Sequence, residues 1–246
     1  MKFNWKVALM CVATLAMVAC EKDKKDEGNG DGEKIFDYEN PIEINDNSIA
    51  DWDKLDQTKI AEAVAPNAPL WSALKKIRVY ADSVCIYYMA VFDPAQMVSH
   101  TAVDVMHIYI NADNSDATGG FWDLFAPAQK GDVDLMFEGP IWDDYGTQIS
   151  YEPSVSYWSG PLNGEGWNWS ETPVSNKLSA SQFVGDSIIE GRLAIELIPY
   201  KFNKKAFEIG FDIQQNFDNV GLLPQINTPD GQLIGRAKKL YVEFDK

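Results

Sequence analysis

HIYINADNSDATGG, residues 107–120, decides the fold. Its first half continues an alternation in which Met106, Ile108 and Ile110 share one face and Val105, His107 and Tyr109 the other. A period of two is the signature of a strand. Its second half is Asn, Asp, Ser and Thr closed by Gly119 and Gly120, residue types that bond their own backbone or accept positive φ, so the strand runs into a turn. GDVDLMFEG (131–139) follows as a second strand, and the unit reads as one edge of a β-sandwich. On the N-terminal side, KKIRVYADSVCIYYMAVFD predicts strands over 76–80 and 84–92 around the turn Ala81-Asp82-Ser83. The second is apolar on both faces and therefore central. On the C-terminal side, Leu193, Ile195 and Leu197 alternate with polar or small neighbours until Pro199. Phe207, Ile209, Phe211 and Ile213 repeat the pattern, as do Leu240, Val242 and Phe244. Ile42 and Ile44 predict a further short strand, and residues 58–65 a helical turn or two ended by Pro66 and Pro69. The expectation is an all-β fold: a single antiparallel β-sandwich, jelly-roll-like, with long aromatic-rich loops and little helix, occupying 41–246.

Two stretches offer binding chemistry. In the acidic loop, Asn111, Asp113 and Ser115 stand at alternate positions, as oxygen ligands do at the start of an EF-hand, but the twelfth position is Trp122 and not Glu. Two readings stand: turn chemistry alone, or a structural Ca²⁺ held by Asp113 and Asp116 with Asn111 and backbone carbonyls. No organic cofactor is expected. Residues 121–173 then concentrate aromatics, and YWSGPLNGEGWNWSETP (157–173) reads as a loop because two Pro and three Gly interrupt it. Trp122, Trp142, Tyr145, Trp158, Trp167 and Trp169 are the candidate carbohydrate contacts. Exposed rings present flat apolar faces to the C–H side of a sugar, and neighbouring Asp, Asn and Glu accept its hydroxyls. The competing reading is a loop folded back to cover one sheet with its own Trp side chains.

The first residues are not fold. Lys2 and Lys6 precede a short apolar run (7–18), and Met17-Val18-Ala19-Cys20 is similar to a bacterial lipobox. Residues 1–19 are thus expected to be a lipoprotein signal peptide and Cys20 the lipidated residue. Residues 20–40, EKDKKDEGNGDGEK at their start after Cys20, cannot bury a core and form a charged tether. Lys and acids just after the Cys also resemble the surface-export signal of Bacteroidetes lipoproteins. The expected address is the outer membrane, lipid-anchored and facing the exterior, with the membrane reached through the anchor only. Net charge is −16, and removing Lys2 and Lys6 with the signal takes it to −18. Such a surface repels phosphates, which excludes nucleic acid as a partner. Cys85 is the one Cys left for the folded part, which rules out an intrachain disulfide.

NPIEINDNSIADWDKLD (40–56) resembles the opening of the carbohydrate-binding module family 9-like (DOMON-like) sandwiches: an extended segment, a turn at Asp46-Asn47 where Asp-Gly is usual, and the acidic-Trp pair Asp51-Trp52. NADNSDATGG (111–120) is similar to the Asp-rich, Thr-Gly-closed loop that follows a central strand in the same modules. The resemblance implies a sandwich that captures a polysaccharide or oligosaccharide without cleaving it, with protein partners in an outer-membrane glycan-uptake assembly. An adhesive lipoprotein that binds a protein is the alternative. Some DOMON-like sandwiches hold haem between Met and His, for which Met89 or Met106 with His107 or His100 would serve. Enzyme motifs such as G-x-S-x-G, H-E-x-x-H or a P-loop are missing from the sequence. Two carboxylates could make a glycosidase, with Asp134 or Glu138 as a member, but in a chain with 37 acids any such pair is weak.

Overall fold

The computed structural model describes residues 40–67, 71–96, 105–120, 132–143, 147–161, 168–173, 177–198, 200–203, 205–225 and 239–245. Cys20, the signal segment, the tether, His100, Trp122, Tyr145 and Trp167 lie outside them. Pro41–Lys246 is one compact unit.

Within it, two antiparallel sheets pack face to face. One holds β1 (Ala61–Val64), β2 (Leu74–Ala81), β3 (Cys85–Phe92), β9 (Ile188–Ala194) and β8 (Ser179–Val184), in that order. The other runs β11 (Asp218–Leu223), β10 (Ala206–Gln215), β4 (Val105–Asn111), β5 (Leu135–Pro140), β6 (Ser154–Trp158) and β7 (Trp169–Thr172), with β12 (Leu240–Glu243) also paired to β10. The chain changes sheet after β3, after β7 and after β9, so the neighbours β3 and β9 of one sheet, and β4 and β10 of the other, are far apart in the chain. The two inner faces supply the core: Ile77, Ile86, Tyr88 and Leu193 from the first sheet meet Ile108, Phe137, Phe207, Phe211 and Ile213 from the second.

The alternation around residue 107 holds as read, with Met106, Ile108 and Ile110 all buried in this core. Strand β3 is buried at seven of eight positions because both its faces are covered. Its outer face is roofed by the N-terminal segment, where Ile42, Ile44 and Trp52 pack with Tyr80, Cys85, Tyr87 and Met89.

Several expectations are corrected. Ile42 and Ile44 are buried but not in a strand; the segment turns repeatedly, with Asn45 and Asn47 at positive φ. Residues 58–65 are not helical. A short 3-10 turn, Gln57–Lys59, capped by the Asp56 carboxylate on Thr58 N at 2.9 Å, leads into β1, an edge strand paired with β2. The strand expected to run through Leu197 ends at Ala194 and gives way to a 3-10 turn, Ile195–Leu197. The stretch 157–173 is not wholly loop: its ends are parts of β6 and β7, paired so that Trp158 faces Trp169. Pro and Gly in the middle of that stretch concealed a hairpin whose strands lie at its margins.

Candidate functional site

The outer face of the larger sheet carries an unusual polar row. Pairing sets Asp212, His107 and Glu138 side by side across β10, β4 and β5. Because Ile108 and its neighbours fill the core, His107 must point outward, yet it is only 1% exposed. Its Nδ1 lies 2.6 Å from Asp212 Oδ1 and its Nε2 2.7 Å from Glu138 Oε2. With a carboxylate on each nitrogen, both ring positions donate, so the ring is an imidazolium. Burial opposes that charge, but the facing Asp212 and Glu138 outweigh it and push the His107 pKa up to about 9. The hydrogen bond from His107 in turn holds the Glu138 carboxyl below its ordinary range. Tyr109 stacks on the imidazole (centroids 5.5 Å apart, planes at 21°), and its hydroxyl donates to Asp212 Oδ2 at 3.2 Å. Glu138 differs from its partners in standing half out in solvent, its side chain 48% exposed. The row therefore presents one ionised, oriented carboxylate to the outside.

At the same end of the sheet, the β10–β11 hairpin turns through Asn216 (φ +49°) and Phe217 (φ +69°). Tight hairpins with two positive-φ residues favour Asn-Gly. A bulky side chain in the second position is strained by about 1–2 kcal/mol. Phe217 is also 80% exposed, so its ring gains nothing from burial. Phe217 is thus an exposed ring held on a strained turn.

The aromatic residues named from sequence divide. Trp142 is buried, edge-on to Phe92 at 5.4 Å and against Phe183 at 5.9 Å, so it closes the core and offers no face to a ligand. Trp158 and Trp169 form a T-shaped pair (5.4 Å, 75°), both half-buried, at the far end of the β6–β7 hairpin from Phe217. The Trp158 ring lies so close over Gly120 that a Cβ there would stand 2.0 Å from it. Trp169 packs with Trp71 on Tyr109, Val133, Met136 and Leu222, partly covering the sheet. Its indole N–H is buried and has no acceptor among the described residues.

The acidic loop is held by its own turns. Asn111 Oδ1 and Asp113 Oδ1 converge on Ser115 N at 3.2 and 2.9 Å, and Asp113 Oδ2 accepts the Thr118 hydroxyl at 2.7 Å. An N–H thus sits where the oxygens of Asn111 and Asp113 meet, the wrong partner for a cation. Asp116 is exposed. No three His, Cys, Asp or Glu side chains converge as metal ligands among the described residues, so the calcium expectation has no fitted donor set there. Asp134 Oδ2 accepts Ala112 N at 2.8 Å; burial and the Asp113 charge raise its pKa to about 6. It sits four residues ahead of Glu138, just before β5 begins, about 13 Å away along extended chain, too far for the nucleophile–acid pair of a retaining glycosidase. Both ring nitrogens of His107 are engaged with carboxylates, which leaves neither for haem iron.

No protein-family model matches the sequence, and no curated protein matches it. Among solved structures, the chain is similar to a carbohydrate binding module family 9 from Caldicellulosiruptor kristjanssonii in complex with cellotriose. Identity is 10%, with 83% of this chain and 80% of that chain covered and a TM-score of 0.35. A carbohydrate binding module family 9 from the same organism in complex with glucose is similar at 10% identity over 76% of this chain and 78% of that chain, with a TM-score of 0.32. Likeness at this level assigns no ligand to the chain.

What sequence reasoning missed is the row on β4, β5 and β10 together with Phe217. His107 and Asp212 are 105 residues apart, and nothing local links them. Phe217 did carry a signal: an Asn-Phe pair between two alternating strands, where Asn-Gly would be the unstrained choice.

Proposed function

We propose that this chain is a non-catalytic carbohydrate-binding domain, carried by a lipid anchor at Cys20 on the outer surface of the outer membrane. The observation that carries the reading is an exposed ring on a strained turn, Phe217, at the end of the larger sheet towards which the row bearing the oriented Glu138 carboxylate also lies, two strands away. A ring face takes the C–H side of a sugar, while a fixed carboxylate accepts its hydroxyls. An anion beside it would be repelled by Glu138 and by the net charge of −16, which favours uncharged glycans. The sequence resemblance to family 9-like modules points the same way. The lipid anchor, its surface exposure and partners in glycan uptake rest on the lipobox-like MVAC and the charged residues after it.

The test is binding of the purified protein to a panel of neutral and acidic polysaccharides, repeated with Phe217→Ala. A neutral glycan retained by the wild type, not shortened on incubation, and lost by the variant supports the reading. Silence across the panel, with capture of a surface protein instead, would replace it by the adhesive role. Labelled palmitate incorporated by the wild type and not by Cys20→Ala tests the anchor separately.

A further inference from the structure

We infer that glycan contact does not stop at the Phe217 end but continues along the β6–β7 edge to Trp158 and Trp169, so that the domain holds a run of several sugar units and not a single terminal ring. This rests on the carbohydrate-binding reading above. The outer face is closed where Tyr109, Met136 and Leu222 lie under Trp71 and Trp169, but it is open beside them. Glu138 pairs with Ser154, and Ser156 pairs with Glu171; the two glutamates are exposed and the two serines half-buried. Trp158 and Trp169 end the band. From Ser154 to Trp158 is four residues of strand, about 13 Å. Along that length the side chains are hydroxyls, carboxylates and aromatic edges, and the band is continuous with Glu138. Its two glutamates accept hydroxyl hydrogens and repel uronates and sulfates.

The experiment is isothermal titration of the purified protein with gluco-, xylo- and N-acetylated chito-oligosaccharides from monosaccharide to hexasaccharide. The expected result is a weakly bound short sugar and an affinity that rises at least about tenfold with length. Trp158→Ala removes that rise while leaving the short-sugar affinity unchanged. Because Trp158 packs on Gly120 and Gly160, its loss could loosen the hairpin; Ser156→Lys blocks the band without touching that packing and should remove the same rise. Affinity flat with length, or a rise that survives both variants, overturns the inference while short-sugar binding sensitive to Phe217→Ala keeps the function. If no saccharide binds the wild type, both fall.

Discussion

His107 is a charge held out of water between two opposite charges, an arrangement that seldom adds net stability over an apolar alternative. It does make stability depend on pH in a definite direction. The folded pKa, about 9, lies above the ordinary value of 6.5. The contribution is therefore fully present below pH 6.5 and is lost as pH rises through about 9, on the order of 3 kcal/mol in all. Urea midpoints measured from pH 6.5 to 9.5 should fall steadily in the wild type and stay nearly level in His107→Gln. Asp134, whose raised pKa is about 6, titrates below that window. A level wild-type curve would show the imidazolium to be absent. Phe217 supports a second prediction at this scale. Phe217→Gly relieves the positive-φ strain and should stabilise the fold by about 1 kcal/mol in urea unfolding. The same variant should bind glycan worse. A variant no more stable than the wild type would remove the argument that strain marks this residue.

The N-terminal segment acts as a strap across the outer face of the smaller sheet, and its hold is local to a few groups. The Trp52 indole N–H donates to Glu190 Oε1 at 2.5 Å, and Gln182 Nε2 donates to the other oxygen at 2.7 Å. Arg78 lies over the Trp52 ring at 5.5 Å. Burial raises the Glu190 pKa, a carboxylate that needs both donors. Trp52→Phe keeps the ring but orphans one oxygen, and should destabilise by about 1–3 kcal/mol. Adding Glu190→Leu should recover part of the loss, since both partners are then apolar; thermal melts of the single and double variants check this. This element was legible in sequence only as a resemblance. Asp51-Trp52 marked it, but Glu190 and Gln182, more than 130 residues away, hold it. Likewise β6 and β7 were hidden in a Gly- and Pro-broken stretch, because their pairing is decided by β5 and not by their own propensity.

At the scale of the molecule, the two sheets meet around Tyr88. Its ring is in contact with Tyr151 (6.3 Å, 84°) and Phe211 (5.9 Å, 50°) from the opposite side of the core. Room for it comes from Gly191 on β9, where a Cβ would lie 2.3 Å from the Tyr88 hydroxyl oxygen. That hydroxyl is fully buried and has no partner among the described residues. Gly191→Ala should therefore destabilise by about 1–3 kcal/mol through overpacking. Tyr88→Phe should be neutral or stabilising by up to about 1 kcal/mol, because it removes a polar group that burial leaves unsatisfied. Combining them should leave most of the Gly191→Ala loss in place, because Tyr88 Cζ at 2.5 Å and the Ala180 carbonyl at 2.9 Å would still crowd the new Cβ; the urea midpoint measures this. A double variant as stable as Tyr88→Phe alone would show that the hydroxyl oxygen is the whole of the clash.

Sequence alone determined the fold class, because period-two alternation survives wherever one face is buried, as in Met106-His107-Ile108-Tyr109-Ile110. It also determined that the loop at 111–120 would be a turn, since Asn, Asp and Gly chemistry acts over two to five residues. Tertiary structure decided which aromatic residues face solvent. The sequence offered Trp142 as a contact and passed over Phe217, yet the first is 4% exposed and the second 80%. It decided the polar row too, because a strand residue's partners are set by register between segments a hundred residues apart. Local residues write the period of a strand, but only the assembled sheet chooses its neighbours.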